Sequence, residues 1–140
     1  LHQALILAMS VAPIVMLLTA TAYWTIGRWG VNPEIASLAQ PYLAVIALGA
    51  FPLMFYAAFR RYLQGLHIVT PVMWALVTAN LVNAAFNAVL IYGRLGAPRL
   101  GVTGSAWATC LARAYMAAFL GMAVLREHRF LSLSTGMAEP

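Results

Sequence analysis

The sequence contains no lysine, no aspartate and a single cysteine in 140 residues. One cysteine excludes an internal disulfide, and no Cys or His spacing suits a metal. Cys110 lies inside an apolar run and reads as a small core residue. The acids number three, Glu34, Glu127 and Glu139, and none is paired with another for acid–base chemistry. His2, His67 and His128 fall outside the apolar runs and have no partner at ligand spacing. No phosphate loop is present. Enzyme classes that depend on these groupings find no support, so no enzymatic activity and no cofactor are expected. The formal charge of +5 comes from eight scattered arginines, which form no patch for nucleic acid, so no nucleic-acid partner is expected either.

What is present is apolar. Hydrophobic residues make up 64% of the chain and charged residues 8%, against about 25% charged in soluble domains. A soluble fold of this size leaves much of its surface in water and cannot hide so much apolar area; lipid removes that constraint. A helix needs ~20 apolar residues to cross the hydrocarbon core, and the sequence supplies runs over 4–26, 42–64, 71–92 and 102–125. The expected fold class is all-α: a polytopic integral membrane protein with four transmembrane helices.

Punctuation supports these limits. Asn32-Pro33-Glu34 reads as an N-cap, a proline at the first helical position and an acid in the first turn, opening a short amphipathic helix over 33–40 along the membrane interface. Pro41 predicts a break between that helix and the second span. Thr70-Pro71 opens the third span in the same way, and Gly93 to Gly101 has the turn chemistry of Gly96 and Pro98. A membrane-spanning region over 1–130 is followed by a polar linker over 131–140. Leu1 stands just before an apolar run that lacks a basic n-region and a cleavage site, so that run is not a signal peptide; the chain is expected to begin inside a longer polypeptide.

Four spans place Arg28, Arg94 and Arg99 on one side and Arg60, Arg61, Arg126 and Arg129 on the other. Positive charge favours the cytoplasm, so the Arg60–Arg61 loop, the C-terminal tail and Leu1 are expected there.

Polar groups inside a span are costly unless satisfied, which makes each a functional candidate. Asn80, Asn83 and Asn87 are spaced i, i+3, i+7 and share one face of the third span, marking either a polar cavity or a tight helix contact. In the second span Pro52 removes a backbone donor and is a candidate hinge, while Tyr56 lies deep enough to want a hydrogen-bond partner. In the fourth span Ser105, Thr109 and Arg113 follow at i, i+4, i+8, and Gly101, Gly104, Ser105, Ala108 and Ala112 form a small-residue surface. Arg113 lies about 17 Å along the helix from Val102, where an arginine costs about 2.5 to 3.5 kcal/mol to insert. No glutamate lies within a span, so its partner is another helix, a lipid phosphate or the membrane surface reached by snorkelling.

Two stretches are more specific than any single residue. "GAFPLMFYAAFRRYLQGLHIVTP", Gly49 to Pro71, joins a proline-kinked helix, a basic end and a glutamine-glycine turn before a threonine-proline helix start. "NLVNAAFNAVLIYGRLGAPRLGVTGSAWAT", Asn80 to Thr109, joins the asparagine stripe, a G-x-x-G-x-P-x-L-G loop and a small-residue helix start. In this order they resemble the multidrug and toxic compound extrusion (MATE) family, from its fourth helix to its sixth; Leu1 to Gln40 then fits its third helix and the loop after it. The resemblance implies four helices of the family's six-helix N-terminal lobe, in a bacterial inner (plasma) membrane, exchanging Na⁺ or H⁺ for small-molecule drugs, often organic cations, by alternating access. Partners would be membrane lipid and the remaining helices of the same polypeptide.

It also implies site residues. Some family members carry an asparagine and, four residues later, an aspartate on helix five. Asn83 and Asn87 match the spacing, with asparagine in place of the acid. Asn87 therefore cannot take up a proton, though its carbonyl could coordinate Na⁺. Tyr56 and Thr109 match other polar positions, with Asn80 beside them. Alternatives are a lipid-linked oligosaccharide flippase of the same superfamily, whose cavity would carry more charge, and a non-transporting four-helix assembly protein using the asparagines only for packing.

Overall fold

The computed structural model describes residues 2–28, 30 and 32–136. Among them every regular element is helical: α1 (His2–Thr25), α2 (Pro33–Leu48), α3 (Ala50–Gly65), α4 (Thr70–Tyr92) and α5 (Gly101–Gly136), with 3-10 turns at Ile26–Arg28 and Arg94–Gly96. Pro33–Gly65, Thr70–Tyr92 and Gly101–Glu127 are each long and apolar enough to cross a membrane, and Met9–Thr25 is a shorter apolar stretch within α1. Leu17, Leu18, Trp24, Leu81 and Leu125 are each more than 60% exposed, which costs little against lipid and a great deal against water.

The expected interfacial helix over 33–40 is not separate. Asn32 caps it as read, its Oδ1 accepting from Glu34 N at 3.0 Å, but α2 continues through Pro41 to Leu48. Pro41 removes only the donor to the Ser37 carbonyl, and Ser37 is exposed, so that acceptor has other partners within reach. Pro13 likewise sits inside α1. The interruption falls instead at Gly49. Pro52 has no N–H for the Leu48 carbonyl and its ring crowds that turn, so the helix is disturbed one turn before the proline. The 33 residues Pro33–Gly65 would reach about 50 Å if straight, beyond a hydrocarbon core of about 30 Å; their ends lie outside it. The tail read as a linker over 131–140 is helical as far as Gly136, since no proline or glycine interrupts it earlier. Leu1 and residues 137–140 lie outside the described residues.

α5 is the organising element. It packs on α2, α3 and α4, while α1 lies against α2 and α3. The larger core joins Tyr56 and Leu63 of α3, Val72 and Ala75 of α4, and Leu120 and Val124 of α5; Leu63 and Leu120 are its fully buried large side chains. A smaller core joins Val45, Ala106 and Cys110. The α4–α5 seam is close because its residues are small: Ala108 and Ala112 are buried, and a Cβ at Gly104 would stand 2.6 Å from the Leu90 carbonyl oxygen. With lipid outside, such backbone approach supplies the packing that water-driven burial supplies in soluble proteins. Between α3 and α4 the chain turns through His67 (φ 60°), with Ile68 N donating to Leu63 O at 2.9 Å.

Candidate functional site

The asparagine stripe of α4 turns one face toward α5. Asn80 is exposed, and Asn83 and Asn87 are half-buried. Asn87 Nδ2 donates to Asn83 Oδ1 at 2.9 Å, one helical turn apart. That bond leaves Asn87 Oδ1 enclosed and without a hydrogen-bond partner. The pair therefore presents an unused carbonyl oxygen inside the bundle.

Beside it, a cleft of about 310 Å³ opens between α4 and α5, lined by Asn80, Asn83, Thr109 and Arg113 with Leu53 and Met116 among its apolar walls. Thr109 Oγ1 donates to Ser105 O at 2.9 Å, a bond within its own helix that leaves the hydroxyl able to accept. Arg113 is half-buried and its Nη1 lies 3.1 Å from where a Cβ on Gly49 would stand. The α2–α3 interruption and the charge of α5 thus meet. The same imagined Cβ would be 2.6 Å from Cys110 Sγ, and Cys110 donates to Val45 O at 2.9 Å.

Of the residues singled out from sequence, the structure brings Asn80, Asn83, Thr109 and Arg113 to one cleft. Asn87 reaches it only through Asn83, and Tyr56 is elsewhere. Tyr56 is 6% exposed, its hydroxyl has no partner, and it borders a separate groove of about 340 Å³ with Arg60, Arg61 and Gln64. Leu53 lines both spaces. Pro52 lies one turn beyond the interruption at Gly49. Two features escaped sequence reasoning: the Cys110–Val45 bond, and Tyr115, whose hydroxyl donates to Thr78 Oγ1 at 3.1 Å while Thr78 donates to Trp74 O at 2.6 Å. Both depend on the register between helices, which spacing along one helix does not contain. Among the described residues no three His, Cys, Asp or Glu side chains come together to hold a metal.

The family model described as MatE matches residues 1–89. The chain belongs to the MatE family. The likeness extends past the matched region. A protein of Geobacillus kaustophilus named "Probable multidrug resistance protein NorM" is 34% identical over 128 residues, 91% of this chain and 28% of that protein. Multidrug resistance protein PmpM of Pseudomonas aeruginosa is 36% identical over 125 residues, 86% of this chain and 25% of that protein. Multidrug and toxin extrusion protein 2 of Mus musculus is 39% identical over 90 residues, 64% of this chain and 15% of that protein. The chain therefore spans about a quarter of the length of the bacterial relatives it matches. No solved structure matches it. Membership of MatE and the apolar spans together make this an integral membrane protein.

Proposed function

We propose that this chain is part of a MatE exporter that expels small-molecule drugs by alternating access, in exchange for Na⁺ or H⁺. The observation that carries the proposal is the α4–α5 cleft of about 310 Å³. It has the size of a small-molecule site, with apolar walls and a few converging polar groups, in a chain whose relatives are named for multidrug resistance. Asn80, Asn83 and Thr109 orient the drug by hydrogen bonds, and the apolar walls supply its contact area.

The Asn83–Asn87 pair is the candidate contact for the coupling cation. Its free amide oxygen is a hard neutral ligand of the kind Na⁺ accepts. Neither asparagine can take up a proton, so H⁺ coupling would use an acid from another helix. Cation binding drives transport only if it favours one of the two access states over the other, and the interruption at Gly49 is where α2–α3 could flex between them. The basic end of α3 faces the cytoplasm.

The test is Asn87→Leu in the full-length protein, with drug efflux measured from energised cells at varied Na⁺. We expect efflux to fall about tenfold, as for loss of one or two buried hydrogen-bonding contacts, and its Na⁺ dependence to flatten. Unchanged efflux and coupling would remove the asparagine pair from the site.

A further inference from the structure

We infer that the groove between the start of α4 and the charged end of α5 seats one phospholipid whose headgroup carries a phosphate and a primary ammonium, as phosphatidylethanolamine does. Arg126 takes the phosphate, Glu127 takes the ammonium, and the apolar walls take the start of an acyl chain.

The groove holds about 450 Å³ and is lined by Thr70 and Trp74 of α4 and by Phe119, Met122, Arg126 and Glu127 of α5. No residue of α1, α2 or α3 lines it. Trp74 lies nine positions before Asn83, on the opposite face of α4 at about 100° per residue. Asn83 lines the inner cleft, together with Leu53 of α3. The groove therefore opens on the side of the α4–α5 seam turned away from the rest of the bundle. Its depth is that of lipid headgroups. It stands where the spans Thr70–Tyr92 and Gly101–Glu127 have their neighbouring ends, and tryptophan is enriched at that level of a membrane. From Phe119 to Arg126 α5 rises about 10 Å, so the groove runs from apolar walls to a charged rim, in the order of acyl chain, glycerol and headgroup.

The rim selects the headgroup by charge. Arg126 is exposed and Glu127 half-buried. Neighbouring positions on a helix do not face each other, so the two charges flank the space and do not cancel. An arginine guanidinium binds a phosphate by charge-assisted hydrogen bonds. Glu127 is the sole acid of α5, and α4 has none; its carboxylate accepts hydrogen bonds and cannot donate them while ionised. A headgroup with net negative charge meets it as a like charge. A choline headgroup offers it no N–H, whereas a primary ammonium offers three.

The test uses the full-length protein in phosphatidylcholine vesicles, with added lipids brominated on their acyl chains to quench tryptophan fluorescence by contact. The share of Trp74 is the difference between wild type and Trp74→Phe. Brominated phosphatidylethanolamine should half-quench Trp74 at about a tenth of the mole fraction that brominated phosphatidylcholine needs, the scale of one hydrogen bond to a charged group. Glu127→Gln should abolish that advantage and leave phosphatidylcholine unchanged within about twofold. Arg126→Gln should weaken both lipids severalfold, because the phosphate is common to them. Equal quenching by the two lipids in the wild type overturns the inference. So does an ethanolamine advantage that survives Glu127→Gln, or stronger quenching by brominated phosphatidylglycerol, which marks a site for anionic lipid. Quenching by no lipid means that another part of the polypeptide covers the groove, and this too overturns it. If Glu127→Gln loses its helical circular dichroism, the wild type alone decides. Its preference must fall stepwise as the ethanolamine nitrogen is methylated once, twice and three times, and a level series overturns the inference.

Discussion

Gly49 shows how one residue is fixed by space and not by conformation. Its φ of −69° and ψ of −8° suit any residue, so the absence of a side chain matters only for what lies opposite. There a Cβ would meet Cys110 Sγ at 2.6 Å and Arg113 Nη1 at 3.1 Å. The arginine end can swing aside; the cysteine, buried and bonded to Val45 O, has little freedom. Gly49→Ala should therefore destabilise the bundle by about 1–3 kcal/mol through overpacking, read as a lower unfolding midpoint in detergent. In a Cys110→Ala background most of that cost should vanish, because the colliding sulfur is gone. Equal costs in both backgrounds would mean that Gly49 is constrained by something other than Cys110. The unpartnered hydroxyl of Tyr56 and amide oxygen of Asn87 are a different kind of residue-scale signal. A buried polar atom left unpaired costs about 1–3 kcal/mol, and in lipid there is no water to relieve it.

At the scale of elements, α5 meets α4 by backbone approach and α3 by side-chain contact, and two glycines of α5 separate these. A Cβ at Gly104 would press on the Leu90 carbonyl, 2.6 Å from its oxygen and 2.8 Å from its carbon. Backbone cannot rotate away, so Gly104→Ala must push the helices apart. At Gly121 the nearest atom is on the Phe59 ring at 3.4 Å, an ordinary contact, and alanine there gains about 1 kcal/mol of helix propensity. Gly104→Ala is expected to lower the thermal midpoint and Gly121→Ala to leave it level or raise it; the reverse order would place the tight seam elsewhere. These elements were unevenly legible in the sequence. α4 and α5 begin where turn chemistry said they would, because Thr70-Pro71 and the Gly93–Gly101 loop act locally. The break expected at Pro41 is absent and the one at Gly49 was not foreseen as such. A proline disturbs the turn before it only as far as neighbouring packing requires, and that packing is not local. The asparagine face was legible because periodicity on one helix defines a face. That Tyr56 would leave Asn83 for the Arg60–Arg61 groove was not, because it depends on the rotation of α3 about its own axis.

For the molecule as a whole, the distribution of charge and the path of the chain make one claim that labelling decides. The α3–α4 turn at His67 and the α4–α5 loop at Leu95 lie at opposite ends of α4, a 23-residue helix that reaches about 35 Å and so spans a core of about 30 Å. Arg60, Arg61 and Arg126 cluster toward the first end: Arg60 and Arg61 close α3, and Arg126 shares a space of about 450 Å³ with Thr70 and Trp74 at the start of α4. Arg94 and Arg99 lie at the other end. With Arg28 on the side of Arg94 and Arg99, and Arg129 on the side of Arg60, Arg61 and Arg126, the count is four against three, and the expected orientation rests on that narrow excess. His67 is exposed and Leu95 is 93% exposed, so cysteines at either place are open to reagent. Cys110 is buried and is removed as Cys110→Ala to clear the background. In that protein His67→Cys should react with a membrane-impermeant maleimide in inverted vesicles and not in intact cells, and Leu95→Cys should do the opposite. The mirror result would reverse the orientation while keeping α4 as a span. Reaction of both from one side would deny that α4 crosses the membrane, and with it the cleft that α4 builds against α5.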